Sequence, residues 1–213
     1  MIEIKHKETG KCLFRVEGDT LAEQFLEGAQ LAGANFAGLD LHGADLQRAD
    51  LRAADLTGCN LAGAILIGAT MNGAVCDRAN FTGADLTDVY AKGVAFRHCK
   101  LMRALLRYAH LDDSDLTEAD LAAADISMAE LGCNLTKANL SRADLRGADL
   151  SGAVLSGACL VEADLTEAHI SHADLSGAQL AKAKIGHGQR LGAHVFKTAK
   201  ENPRAPWWMF WAS

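Results

Sequence analysis

Gly43-Ala44-Asp45-Leu46-Gln47-Arg48-Ala49-Asp50-Leu51-Arg52-Ala53-Ala54-Asp55-Leu56 is one phrase repeated: a small residue, an acid, a leucine and two variable positions. The spacing of five runs back from Leu46 through Leu41 and Phe36 to Leu31, and forward without a break to Leu131. It shortens once to four, from Leu131 to Leu135, and resumes to Ile185. Of these 32 central positions, 23 are leucine; the residue two before is alanine in 25, and the residue one before is Asp or Asn in 17. Leu39, Cys59, Val89, Val94, Cys99, Ser114 and Cys133 take the alanine's place. The unit reads Ala-(Asp/Asn)-Leu-x-x, again clear in Ala148-Asp149-Leu150.

A period of five suits neither regular element. On an α-helix every fifth residue walks around the axis and leaves no apolar stripe. On a straight strand the side chains alternate with period two, so successive leucines fall on opposite faces. A short extended segment with two inward side chains, one small and one large, followed by a turn, satisfies the pattern. Repetition of that segment bends the chain into a coil.

The repeat resembles the pentapeptide-repeat family, and the resemblance covers residues 31–185. It implies an all-β solenoid, a right-handed quadrilateral β-helix with four pentads per coil. Residues 20 apart then stack, the 32 central positions make about eight coils, and at roughly 4.8 Å per stacked strand the rod is about 38 Å long. Leucines stack on leucines and alanines on alanines, so stability comes mostly from neighbouring coils. Val89 precedes Ala91, the single alanine at a central position, which reads as volume compensation within one pentad.

Composition narrows the class further. With 213 residues and 49% apolar side chains the chain is long enough for one sizeable core, and two prolines exclude a Pro-rich linker. A formal charge of −6 argues against direct nucleic-acid binding. The start, MIEIKHKETG, has no apolar segment of the kind a secretory leader needs. Leu56–Cys76 carries no charge, but Thr57, Asn60, Thr70 and Asn72 within the unbroken register argue against a membrane span. Six cysteines are too sparse for a disulfide framework. Cys59, Cys99 and Cys133 take the small inward position and Cys76 a central one, as buried reduced thiols that suit the cytoplasm, while Cys159 faces outward.

Open coil ends need covering. Residues 1–28 are assigned to an N-terminal cap, 29–185 to the β-helix and 186–213 to a C-terminal helical and aromatic tail. Ile2-Glu3-Ile4 and Cys12-Leu13-Phe14-Arg15-Val16 flank Lys7–Lys11 as a hairpin, and Thr20 with Glu23 reads as a capping box opening a short helix through Leu21, Phe25 and Leu26. Arg190–Lys200 suits a second short helix, with Leu191, Val195 and Ala199 on one face. Trp207, Trp208, Phe210 and Trp211 follow Pro203 and Pro206. Four aromatics in water are costly, so they are assigned either to capping the last coil or to packing on the same tail of a second subunit, giving a homodimer.

A rod filled with alanine and leucine has no pocket in which catalytic groups converge, so no catalytic residue, cofactor or metal is expected. The recurring Asp and Asn are assigned to turn hydrogen bonds and to solvating the faces. His169 and His172 lie on one side and His187 and His194 in the tail, without the spacing of a metal motif. Residues 89–111 carry Lys92, Arg97, Lys100, Arg103 and Arg107 with no acid; residues 112–130 carry seven acids with no Lys or Arg. The 20-residue offset assigns these bands to coil-to-coil salt bridges, stacking Lys92 on Asp112, Lys100 on Asp120, Asp77 beneath Arg97, and Arg142–Glu162–Lys182 in series. The functional expectation is a non-enzymatic rod presenting side chains to a protein partner. The alternative implied by the resemblance is a DNA-mimicking binder of DNA gyrase or another topoisomerase, of the quinolone-resistance type. Residues 31–185 hold 13 basic and 20 acidic groups, yet sides such as Asp45, Ile65, Asp85, Leu105, Asp125 and Asp40, Asn60, Asn80, Lys100, Asp120 carry no unbroken column of acids.

Overall fold

A computed structural model describes residues 1–186. Between stacked pentads, the Leu46 amide donates to the Ile65 carbonyl at 2.7 Å, and the Ile65 amide donates back to the Ala44 carbonyl at 2.9 Å. This parallel exchange recurs along the chain: Asp45 bridges Ile65, Ile65 bridges Asp85, Asp85 bridges Leu105. Three companion ladders run from Asp40, from Gln30 through Asp50 and from Asn35 through Asp55, and the four sides are named here by Asp40, Asp45, Asp50 and Asp55. The chain is thus a β-helix solenoid with a 20-residue turn. Each paired segment is so short that only Asp164–Leu165 (β3) and Lys184–Ile185 (β4), paired in parallel, are strands among the rungs.

At most corners the turn between sides is closed by a bond from the amide three residues after the centre, as from Ala49 to the Leu46 carbonyl at 3.1 Å. The second variable residue has left-handed φ, the signature of a type II turn. Glycine takes this position in many pentads, but Arg48 (φ 55°), Ala53 (53°) and Ala123 (56°) take it elsewhere. A residue with a Cβ pays on the order of 1–2 kcal/mol there, which the ladders on both sides offset. The interior is filled: Leu46, Leu66 and Leu86 stack fully buried, with Ala44, Ala64 and Ala84 beside them. Val89 and Ala91 are both buried, the larger small-position residue beside the smaller centre. Leu39 departs from its expected inward place and is 42% exposed, because no complete coil lies beneath it.

The four-residue interval at Leu131–Leu135 is a shortened corner. The left-handed residue is missing, the Cys133 amide bonds the Leu131 carbonyl at 2.6 Å, and the Gly132 amide is taken by Asp112 Oδ1 at 3.1 Å. The ladder absorbs the deletion as bridges 19 residues apart, from Asp115–Asn134 to Glu130–Asp149, and returns to 20 at Asn134–Val154.

At the front, Ile2–Lys5 (β1) and Cys12–Val16 (β2) form the expected antiparallel hairpin. It lies on the first coil edge, with the Asn35 amide bonding the Lys5 carbonyl and the Lys7 amide bonding the Gly33 carbonyl, each at 2.8 Å. Gly33 combines φ +67° with a close approach: a Cβ there would sit 2.5 Å from His6 Nε2. The short helix expected at residues 20–26 does not form. Leu21 and Leu26 are instead two further buried centres of the coil, Glu23 has φ 58°, and Phe25 points outward, 85% exposed. Thr20 Oγ1 accepts from the amide two residues on, Ala22, at 3.0 Å, and so closes a turn where a capping box would open a helix. Leu56–Cys76 is ordinary coil, and among the described residues no helix is long and apolar enough to cross a membrane. The expected helix at Arg190–Lys200 lies outside the described residues.

Ser114 repairs the one corner that alanine at a centre opens. The Val94 amide does not reach the Ala91 carbonyl; it donates to Ser114 Oγ at 3.0 Å, and that hydroxyl donates to the Ala91 carbonyl at 2.6 Å. Ser114 is 2% exposed, the only buried polar residue among those described. Ser114→Ala, although it restores the repeat's usual residue, leaves two buried backbone groups unpaired and is expected to cost about 2 kcal/mol or more. Chemical denaturation checks this, and unchanged stability would show that the hydroxyl does not close the corner.

Candidate functional site

With the interior of the described coil filled, its candidate surfaces are those it displays outside. The Asp and Asn before each centre fold back on the turn: Asp50 Oδ1 accepts the Arg52 amide, Asp115 Oδ1 the Thr117 amide and Asn139 Oδ1 the Ser141 amide, at 3.1–3.2 Å. The same residues link coils, as Asn60 Nδ2 donates to Asp40 at 2.8 Å and Asn80 Nδ2 to Asn60 at 3.0 Å. The structural assignment of these repeated side chains therefore holds.

The charge bands resolve into pairs with some changes of partner. Arg97 Nε meets Asp77 at 3.0 Å, and Glu162 bridges Arg142 at 2.9 Å and Lys182 at 3.5 Å. Hydrogen bonds from Arg142 hold the Glu162 carboxyl below the usual range, and Arg52 and Arg146 do the same for Asp50 and Asp144. Lys92 pairs with Asp113 at 3.2 Å, not with Asp112, whose carboxylate serves the shortened corner. Lys100 makes no salt bridge with Asp120, which is taken by the Ala122 amide and by Asn139 Nδ2. The Asp45 side does carry three successive acids, Asp125, Asp144 and Asp164, but Arg107, Arg146 and Lys184 lie within 3.7, 2.6 and 3.1 Å of them.

The exposed apolar side chains are less evenly spread. Met102, Leu105 and Tyr108 follow one another around a single coil, with Tyr90 on the coil below and Met128 on the coil above; Tyr108 and Met128 are more than half exposed. Tyr90 stacks on His110 with ring centroids 4.8 Å apart and planes 12° apart, and His110 Nδ1 lies 2.7 Å from Glu130 Oε2. The coil thus sets a flat, preorganised strip of aromatic and thioether surface across two adjacent corners. The sequence signal for it was weak: large apolar residues at positions that elsewhere hold Asp, Asn, Gly or Thr.

Trp207, Trp208, Phe210 and Trp211 lie outside the described residues, as do His187 and His194. His169 stacks over Asp149, and His172 occupies a left-handed turn position. Among the described residues no group of three or more His, Cys, Asp or Glu is placed to hold a metal ion. Cys59, Cys76, Cys99 and Cys133 are buried at their expected inward places, while Cys12 and Cys159 are partly exposed. Burial pushes the Cys59 and Cys99 thiols up to about 12 and raises those of Cys76 and Cys133 as well. In the folded protein a thiol reagent at pH 8 is therefore expected to label Cys12 and Cys159, and all six cysteines only after denaturation. Rapid labelling of a buried thiol without unfolding would contradict the assigned register.

A family model described as pentapeptide repeats matches residues 20–52, 49–88, 99–131, 132–166 and 158–187, in eight copies. Among solved structures, the chain is 31% identical to HetL, a pentapeptide repeat protein involved in heterocyst differentiation regulation from the cyanobacterium Nostoc sp. strain PCC 7120. That match covers 78% of this chain and 83% of HetL, with a TM-score of 0.26. Full-length QnrB1, a plasmid-mediated fluoroquinolone resistance protein, is 18% identical over 87% of this chain and 97% of its own, with a TM-score of 0.33. No curated protein sequence matches the chain.

Proposed function

The chain belongs to the pentapeptide-repeat family, and on that premise we propose that it is a non-enzymatic protein-interaction module, a stiff rod that presents fixed side chains to a protein partner. The observation that carries this reading is the strip of Tyr90, Met102, Leu105, Tyr108 and Met128, which gathers on three neighbouring coils most of the large exposed apolar side chains of the described residues, the others being Met1, Phe25, Leu39 and Val154. Exposed apolar patches rimmed by polar groups are characteristic of interaction sites, and aromatic and methionine side chains are enriched in interface cores. The filled interior supports the absence of catalysis, and the buried reduced thiols support a reducing compartment such as the cytoplasm. The family resemblance supports a right-handed coil. At four per turn, the 32 central positions from Leu31 to Ile185 support about eight turns.

Affinity purification from the source cells tests the reading when wild type is compared with Tyr108→Ala/Met128→Ala. The substitutions lie outside the core, so melting is expected to be unchanged while captured partners are lost. Retention of every partner would remove the strip from the account. Gyrase regulation is the second reading, and a supercoiling assay decides it. The expected result is no change in gyrase activity, since cations interrupt the acidic column on the Asp45 side. The aromatic tail is proposed to cap the last coil or to pair subunits, and light scattering before and after deletion of residues 203–213 separates those two roles.

A further inference from the structure

Between residues 21 and 186 the chain has 13 Lys and Arg, and ten of them lie within 4.0 Å of a carboxylate. Arg78, Lys100 and Arg103 do not, and all three fall on the Asp40 side or its two corners, within two neighbouring coils. The stacking itself denies them counterions. Lys100 lies between Asn80, whose oxygen is occupied by Thr82, and Asp120, which is occupied by Asn139 and the Ala122 amide. Arg103 stacks between Gly83 and Ala123, and Arg78 between Gly58 and His98. In a rod whose residues 31–185 carry 20 acids against 13 bases, a cluster of cations without partners is the exception to the charge pattern.

The shape beside this cluster is also distinct. At the corner above Met102 and Arg103 both variable positions are alanine, Ala122 and Ala123, while Ser141 and Arg142 follow on the next coil. The missing side chains leave an open groove of about 540 Å³, floored by the alanines and walled by Met102, Arg103 and Arg142. Glu162 also lines the groove, paired with Arg142 and with Lys182, so the charge there without a counterion is that of Arg103. Met102, Leu105 and Tyr108 continue from the groove around the same coil.

We propose that this surface docks a short acidic segment of a partner protein, its carboxylates received by Arg78, Lys100 and Arg103 and its apolar side chains by the groove and by Leu105. The inference rests on the reading of the rod as a protein-interaction module and specifies the partner's chemistry. Charge complementarity selects the occupant. A nucleic acid, with a charge about every 1.7 Å of duplex axis, would overrun two coils and meet Asp120 above and the acids of the adjoining side. A segment of a few residues with carboxylates beside leucine-like side chains fits the height of two coils, roughly 10 Å.

The test is fluorescence anisotropy with a fluorescein-labelled ten-residue peptide of four Asp, three Leu and three Gly, titrated with the full chain at low salt. Binding is expected to weaken at least about tenfold in Lys100→Glu/Arg103→Glu, and by a similar factor on raising NaCl well above physiological strength. It is expected to change less than about twofold in Arg48→Glu/Arg15→Glu, which makes the same charge change elsewhere. Circular dichroism melts of both variants confirm that each is folded. Absent binding, equal binding by the two variants, equal competition by inorganic phosphate, or tighter binding of a twelve-nucleotide single strand would each overturn the proposal. Capture from source-cell lysate separates this failure from that of the broader reading. Partners retained by Lys100→Glu/Arg103→Glu would overturn the site and leave the interaction module standing, whereas no partner on either protein would remove both.

Discussion

The backbone bond from each central amide to the carbonyl 19 residues ahead is what the rest of the molecule depends on. At 2.7 Å for Leu46 to Ile65, and repeated pentad after pentad, it holds neighbouring coils at strand separation. That separation sets the width of the interior, and the width explains why alanine and a leucine-type residue must alternate. At Val89 the larger residue at the small position sits beside the smaller centre Ala91, and the shortfall in backbone bonding at that corner is made good by the Ser114 hydroxyl. Sequence pattern, packing and hydrogen bonding are therefore one constraint seen at three scales.

The same constraint makes the surface informative. Because residues 20 apart are stacked by the backbone, an outward side chain has little freedom to choose its neighbours. Charges find partners where the repeat places them one coil away, as in Arg142–Glu162–Lys182, and stay unpartnered where it places glycine or alanine there, as around Arg103. Each such pair is exposed and contributes little to stability, so the pattern concerns recognition more than stability. A rigid frame also lowers the ordering cost of binding, since the displayed side chains stand on fixed backbone before any partner arrives.

The period made a coil of short extended segments with a small-large inward pair legible, whereas the four sides and the 20-residue offset came from the resemblance to pentapeptide-repeat proteins. The readings that failed did so where local chemistry has two outcomes. Thr20-x-x-Glu23 fits a capping box, but the hydroxyl bonds the amide two residues on rather than three, and the coil continues through Leu21 and Leu26. Lys100 over Asp120 satisfies the offset, yet Asn139 and the Ala122 amide compete for the same oxygen. The docking strip and the groove were not legible, because exposure of Tyr108 or an opening over Ala122 depends on what the coils above and below carry at one corner. Ser114 stood out in the sequence as a departure from alanine, but its partners Val94 and Ala91 emerge only from the stacking.

Distances along the rod test the central claim most directly. Gln47, Ser127 and Thr166 occupy the same corner position, Ser127 four turns and Thr166 six turns beyond Gln47, with one 19-residue step between Ser127 and Arg146. Spin labels on cysteines introduced at Gln47 with Ser127, and at Gln47 with Thr166, in a protein lacking Cys12 and Cys159, read the coil step by double electron–electron resonance. Four coils predict a separation of about 19 Å and six coils about 29 Å, a difference of about 10 Å set by the strand spacing. Equal distances, or an increase that does not follow the number of coils, would contradict a solenoid wound at 20 residues per turn.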